Sequence, residues 1–347
     1  MDRIENHNNS LNNENENSLE LFSNINFPQN LTNDSYAYLL QDNTFIVFNS
    51  LDIIFLIYAS ENKSIVAYNL IDSRKIIEIK NAHKNYITNF RHYLDEINKI
   101  NLIISISAQD NNIKIWNIIN FECLINLEKV YIEGILSSGI IIKENSQYYI
   151  VISNFNVWDS EPIKVFDFKG NKIREINEDN SNDKTFFIDA YYDNFLSKNF
   201  LITGNWGSVK SYDFNKNKIY HKYCDNDNRS HYNIIINKDN EIIKLIESGS
   251  DCKIRIWNFH SGLLMNIIKV CEMGLRSICL WNNYYLFAGY NKNITIIDLK
   301  HEKIIKDITC PNYVINTIKT IIHPKYGRCL ISQGLKNEQI KLWIFKN

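Results

Sequence analysis

A six-residue pattern, clearest at Ile113-Lys114-Ile115-Trp116-Asn117-Ile118, returns six more times in this chain, at residues 65–70, 163–168, 209–214, 254–259, 294–299 and 340–345. Its first position is Ile or Val in every copy, its fourth is Tyr68, Trp116, Phe166, Tyr212, Trp257, Ile297 and Trp343, and its fifth is Asn or Asp in six. The copies begin 48, 50, 46, 45, 40 and 46 residues apart. That interval is close to the period of a four-stranded propeller blade and well above the roughly 34 residues of the short helical repeats. β-Branched and aromatic residues dominate each copy and no Gly or Pro interrupts it, so each reads as a strand. Apolar groups fall on both alternating sets, the mark of a strand covered on both faces. Units of this kind cannot bury their faces singly, which makes the 347 residues one ring of seven units and not two domains.

Each unit follows one plan: a first strand, a second strand ending in small residues, the repeated strand, and a fourth strand rich in Ile or Leu. In the second unit these fall at 87–93, 102–107, 113–118 and 123–127; in the third at 135–142, 148–153, 163–168 and 172–176; in the sixth at 275–281, 284–288, 294–299 and 303–308. The seventh unit has three strands, because the repeated strand ends at Phe345 and the chain at Asn347. A spare strand at 19–27 is free to supply the fourth and so close the ring, which would remove an exposed strand edge. The fold class expected is therefore all-β, a seven-bladed β-propeller of four-stranded antiparallel blades with an N-terminal strand closing the last blade. Residues 1–17 form an acidic, Asn-rich tail, and residues 18–347 the propeller. Over residues 1–20, five acidic groups against one Arg give −4, a composition that does not build a core.

The net charge of −1 supplies no field to draw in nucleic acid or an anionic membrane. Five basic residues at the second position of the repeat, Lys114, Lys164, Lys210, Arg255 and Lys341, are spread one per blade, a repeat feature and not a phosphate-binding patch. The seven cysteines include no C-x-x-C pair, which argues against a disulfide framework and a zinc knuckle alike. Residues 1–17 lack the apolar run of a secretory signal, and no window reaches the roughly 18 apolar residues of a membrane span. An intracellular protein follows, cytoplasmic rather than nuclear.

Three stretches carry a family likeness: Ala82-His83 followed by Ser107, Asp110 and Trp116-Asn117; Ser248-Gly249-Ser250-Asp251 leading to Ile254-Arg255-Ile256-Trp257-Asn258; and Ile340-Lys341-Leu342-Trp343. Through them the chain resembles the WD40 repeat family of β-propellers, across roughly residues 19–347. The resemblance implies a buried hydrogen-bonded tetrad of His, Ser or Thr, Asp and the signature Trp. The candidates are His83, Ser107, Asp110 and Trp116 in one blade and His231, Ser250, Asp251 and Trp257 in another. The family's Ser stands about eight residues before the Trp, where this chain has Ala108 and Gly249. Ser107 and Ser250 lie one residue to either side, a slip that turns a strand side chain to the other face unless a bulge restores it.

No phosphate loop, dinucleotide fingerprint, H-E-x-x-H or G-x-S-x-G occurs, and the eight His are scattered, so no catalytic residue, metal or cofactor is expected. Function is read from the resemblance: a non-enzymatic scaffold or adaptor for protein or peptide partners, a monomeric propeller within a larger complex. The alternatives are a propeller enzyme with its active site at a channel mouth and a phosphoinositide-binding propeller. The latter would carry a paired-Arg motif, for which Phe90-Arg91-His92 is a poor match. Trp158-Asp159 is a decoy, since the repeated strand of its blade starts at Ile163. It sits in a long turn, residues 154–162, which the resemblance places on the rim most used for partners. The partner-binding candidates on that rim are Tyr86, Thr88, Gln109, Phe155, Trp158, Asn205, Trp206, Arg276 and Tyr290.

Overall fold

The computed structural model describes residues 18–24, 45–50, 52–60, 63–132, 134–156, 161–177, 184–225, 230–239, 242–272, 275–310, 314–334 and 340–346. Among them every regular element is a strand, and the strands form seven four-stranded antiparallel sheets. Six sheets take four strands consecutive in the chain. In blade two these are Asn89–Asp95, Ile100–Ser107, Asn112–Asn117 and Cys123–Leu127. The seventh joins Ile315–His323, Gly327–Gly334 and Lys341–Lys346 to Ser18–Asn24, which pairs antiparallel along Lys341–Lys346 from Ser18 opposite Lys346 to Asn24 opposite Lys341. The ring is thus closed by the N-terminal strand, as the missing fourth strand requires. The structure ends that strand at Asn24, and the expected residues 25–27 lie outside the described ones.

The first strands of neighbouring blades contact one another around the axis, and the fourth strands face outward, as the exposed Arg74–Ile79 and Cys123–Leu127 show. Seven apolar clusters fill the seven gaps between blades. Blade one meets blade two through Phe55, Ile57 and Ala67 against Phe90, Ile103 and Trp116. Blade seven meets blade one through Cys329, Ile331 and Leu342 against Phe45, Leu56 and Val66. Two-sided burial is why the repeated strands are apolar on both faces: in Asn293–Asp298 the four central residues are all buried. The tight turns place Asn81, Asn111, Asn145, Asn217 and Asn291 in the left-handed region at φ 41–50° or slightly above, up to 55°, a conformation Asn tolerates better than most residues. In six blades the pairing of the third and fourth strands slips beside the fourth position of the repeat, an aromatic in five of them and Ile297 in blade six, as between Ile115 and Trp116 and between Ile256 and Trp257. The bulge twists the outer strand away where the large ring turns into the gap.

Candidate functional site

The hydrogen-bonded core of blade two is built around Ser105. Its hydroxyl lies 2.7 Å from His83 Nε2 and accepts from Trp116 Nε1 at 2.8 Å, and all three side chains are buried. Ser107, the residue expected in that place, instead donates to Asp110 Oδ2 at 3.0 Å, and the same oxygen accepts from the Asn85 amide at 2.5 Å. Asp110 therefore ties the turn to the loop before the first strand. The correction has a simple cause: Ser105 lies opposite Lys114, the second residue of the repeated strand, so strand pairing and not distance along the chain selects the hydroxyl. Ser332 repeats the arrangement opposite Lys341, and accepts from Trp343 Nε1 at 2.8 Å. Burial pushes the His83 imidazole down to about 3, so the ring is neutral at physiological pH.

Blade five departs from this plan. The position opposite Arg255 is Glu247, fully buried, and its carboxylate lies 2.5 Å from His231 Nδ1 and 3.9 Å from Arg255 Nε. Arg255, also fully buried, spans Asp225 at 2.6 Å and Asp251 through both terminal nitrogens at 3.2 and 2.6 Å. These carboxylates raise the guanidinium above its ordinary value against the opposing pull of burial. Ser250 is not part of the arrangement; it is exposed and its hydroxyl accepts from the Ser230 amide at 3.2 Å. With no hydroxyl in the Ser105 position, Trp257 Nε1 has no partner among the described residues.

The rim on which the first strands begin carries an aromatic group drawn from three blades. Phe155 ends the second strand of blade three (Gln147–Phe155), Phe186 stands at the start of the first strand of blade four (Thr185–Asp193), and Tyr232 at the start of that of blade five (His231–Asp239). Phe186 lies 5.1 Å from Phe155, 6.3 Å from Trp206 and 6.2 Å edge-on from Tyr232. Phe155 and Phe186 are buried, whereas Trp206 is 46% exposed. The Trp206 backbone is pinned on two sides, by its amide to the Lys184 carbonyl at 3.2 Å and by a bridge to Ser230. Gly207 follows in the left-handed region at φ 84°, which lets the chain turn directly after the ring.

Of the rim candidates, the structure brings Phe155 and Trp206 together through Phe186. Asn205 is buried. Tyr86, Thr88 and Gln109 belong to blade two: Tyr86 lies under Lys63 Nζ at 5.7 Å, Thr88 donates to the Ile106 carbonyl at 3.3 Å, and Gln109 is exposed in the turn. Tyr290 is buried in the gap between blades five and six, and its hydroxyl accepts from Thr295 Oγ1 at 3.1 Å. Arg276 lies in the first strand of blade six. Trp158 and its neighbours 157–160 lie outside the described residues. Phe186 and Tyr232, which stand at the starts of the first strands of blades four and five, were not among the candidates.

The opposite rim holds a cavity of about 1020 Å³ between blades two, three and four. Two of its acidic groups are held by hydrogen bonds: Asp95 accepts from Lys143 at 2.7 Å, Tyr148 at 2.8 Å and Asn98 at 2.9 Å, and Glu144 accepts from Asn199 and Asn215. The Lys143 ammonium foremost holds the Asp95 carboxyl well below the usual range. Among the described residues no group of three His, Cys, Asp or Glu is placed to hold a metal ion, and no helix is long and apolar enough to cross a membrane. No protein-family model matches the chain, and no curated protein does.

Proposed function

We propose that this seven-bladed propeller is a non-enzymatic platform for a protein or peptide partner, of the WD40 kind, and that the partner is held on the rim carrying Trp206. One observation carries the reading: a half-exposed Trp fixed at its backbone over a buried Phe, on a rigid ring. Tryptophan is the residue most enriched among those that dominate interface energies, and a pre-positioned ring loses little entropy on binding. The hydrogen-bonded His83, Ser105 and Trp116 support the WD40 likeness of blade two. A scaffold in the cell interior, the cytoplasm in particular, is in line with seven cysteines of which none forms a disulfide.

The test is selection of peptides from a displayed random library against the intact protein. Peptides that bind the wild type are expected to lose affinity for Trp206→Ala by about 30-fold, a hot-spot loss of about 2 kcal/mol. Binding to Phe195→Ala, a 90% exposed residue on the opposite rim, is expected to be unchanged. Equal binding to the wild type and Trp206→Ala, with both proteins folded, refutes the assignment of the face.

A further inference from the structure

The cavity between blades two, three and four is lined by four carboxylates, Asp95, Glu96, Glu144 and Asp189, against two cations, Arg91 and Lys143. Both cations are already matched. Lys143 Nζ lies 2.7 Å from Asp95 Oδ2, and Arg91 Nη1 stands 3.9 Å from Asp189 Oδ2 at the inner end. His92 adds no third positive charge, because burial lowers its imidazole below the ordinary value, and its ring stacks on Phe48 with centroids 3.6 Å apart. Glu144 and Glu96 remain, and neither forms an ion pair among the described residues. The lining therefore carries a surplus of two negative charges.

Glu144 is the costlier of the two. It ends the first strand of blade three, Ile135–Glu144, and is only 9% exposed, yet its partners are neutral: one carboxylate oxygen accepts from the Asn199 amide and the other from the Asn215 amide. Arg174 is close enough to feel its charge, but both terminal nitrogens of that guanidinium are spent on the Phe214 and Asn215 carbonyls. A carboxylate has about four acceptor positions, so each Glu144 oxygen keeps room for a further donor. A buried carboxylate without a cation is unfavourable. A positively charged donor arriving from the cavity removes that cost. Glu96 is exposed in the turn after Asp95, and the side chains beside it at the mouth are apolar: Leu94, Ile97 and Tyr192 are 41, 90 and 50% exposed.

One buried and one exposed carboxylate, with apolar surface between blades to cover, fit a ligand that joins positive charges through hydrocarbon. We propose that this cavity binds a small aliphatic diamine or polyamine, one ammonium donating to Glu144, a second lying at Glu96, and the methylene chain covering Leu94, Ile97 and Tyr192. Two positive charges match the surplus, and an ammonium brings three donors to a carboxylate with acceptor positions to spare. The cavity volume of about 1020 Å³ is at the upper end of small-molecule sites. This site is on the opposite rim from Trp206 and is independent of the partner assigned there.

The experiment is calorimetric titration of the intact protein with 1,8-diaminooctane, octylamine and magnesium ion. The diamine is expected to saturate a single site. Octylamine, with one ammonium, is expected to bind about threefold more weakly, the contribution of a solvent-exposed ion pair. Magnesium, with two charges and no hydrocarbon, is expected to be at least about tenfold weaker. Glu96→Gln is expected to weaken the diamine about threefold and to leave octylamine unchanged, and Glu144→Gln to weaken both about tenfold, the loss of one charge-assisted hydrogen bond. The Glu96 side chain makes no hydrogen bond among the described residues, so Glu96→Gln keeps its melting temperature and tests the site even where Glu144→Gln fails to fold. No saturation by the diamine overturns the proposal, as does diamine affinity unchanged in Glu96→Gln. Magnesium or octylamine binding as tightly as the diamine overturns the diamine assignment.

Discussion

Replacing Ser105 by Ala tests the polar core of blade two more sharply than replacing the tryptophan, because it removes almost no volume. The Ser105 hydroxyl serves two buried neighbours, His83 Nε2 at 2.7 Å and Trp116 Nε1 at 2.8 Å, and the three residues are 0, 3 and 5% exposed respectively. Water does not reach the site, so the substitution strands both ring nitrogens. Each stranded group costs about 1–3 kcal/mol, and the sum falls at roughly 2–4 kcal/mol, allowing for overlap between two bonds that share one oxygen. At about 2 °C per kcal/mol for a chain of this size, the melting temperature is expected to fall by roughly 4–8 °C. Ser107→Ala removes one bond to Asp110, which keeps the Asn85 amide, and is expected to cost about 0.5–1.5 kcal/mol. Ser332→Ala, which removes the acceptor of Trp343 Nε1, should fall between them. The assay is thermal unfolding followed by tryptophan fluorescence on the three variants side by side. A loss at Ser107 equal to or larger than that at Ser105 would refute the pairing-based assignment.

His83 is expected to make the fold acid-sensitive. Its imidazole has its value lowered to about 3 in the folded protein against about 6.5 unfolded, so below pH 6.5 the unfolded chain takes up a proton that the folded one refuses. Stability is full above that pH and falls as pH drops toward 3, by about 2 kcal/mol at pH 5; a melting-temperature difference between pH 7.5 and 5 that is the same in the wild type and in His83→Gln would contradict this. Starting the chain at residue 25 instead of 18 removes the strand Ser18–Asn24 and bares the edge of Lys341–Lys346. The shorter chain should melt lower and aggregate on sizing, and equal melting and elution of the two chains would show that the seventh blade does not need its fourth strand.

The seven-fold architecture was legible because it is periodic: a strand pattern repeated at nearly constant intervals survives the loss of any one copy, and ring closure followed from a count of strands. The polar core was legible only in part. Counting back about eight residues from Trp116 reached Ala108, with Ser107 the neighbouring hydroxyl, whereas the hydroxyl that matters stands 11 residues back, at Ser105, and faces Lys114 across the sheet. Glu247 carried a local signal, a lone acid within the buried run from Leu245 to Gly249 and opposite a buried Arg. A search restricted to Ser and Thr passes over it.

The same register explains where the repeat is free to degenerate. Each blade is clamped on both faces by its neighbours, so the stability of the ring is shared among seven apolar gaps, and a net bond of about 0.5–1.5 kcal/mol in one blade is dispensable. Blades two and seven keep the Ser–Trp bond, whereas blade five gives up its Trp257 partner and buries His231, Glu247 and Arg255 instead. A buried ionic group is a poor source of stability compared with apolar packing of the same volume. Its position is informative: His231 adjoins Tyr232 of the aromatic group, and Ser230, which bridges to Trp206, accepts the Ser250 amide at 2.9 Å next to Asp251. The charged network therefore fastens the backbone beneath the exposed ring from the blade-five side. Local departures from an otherwise consistent pattern concentrate where structure serves something other than stability, and in this ring the departure in blade five adjoins Ser230, which bridges to Trp206.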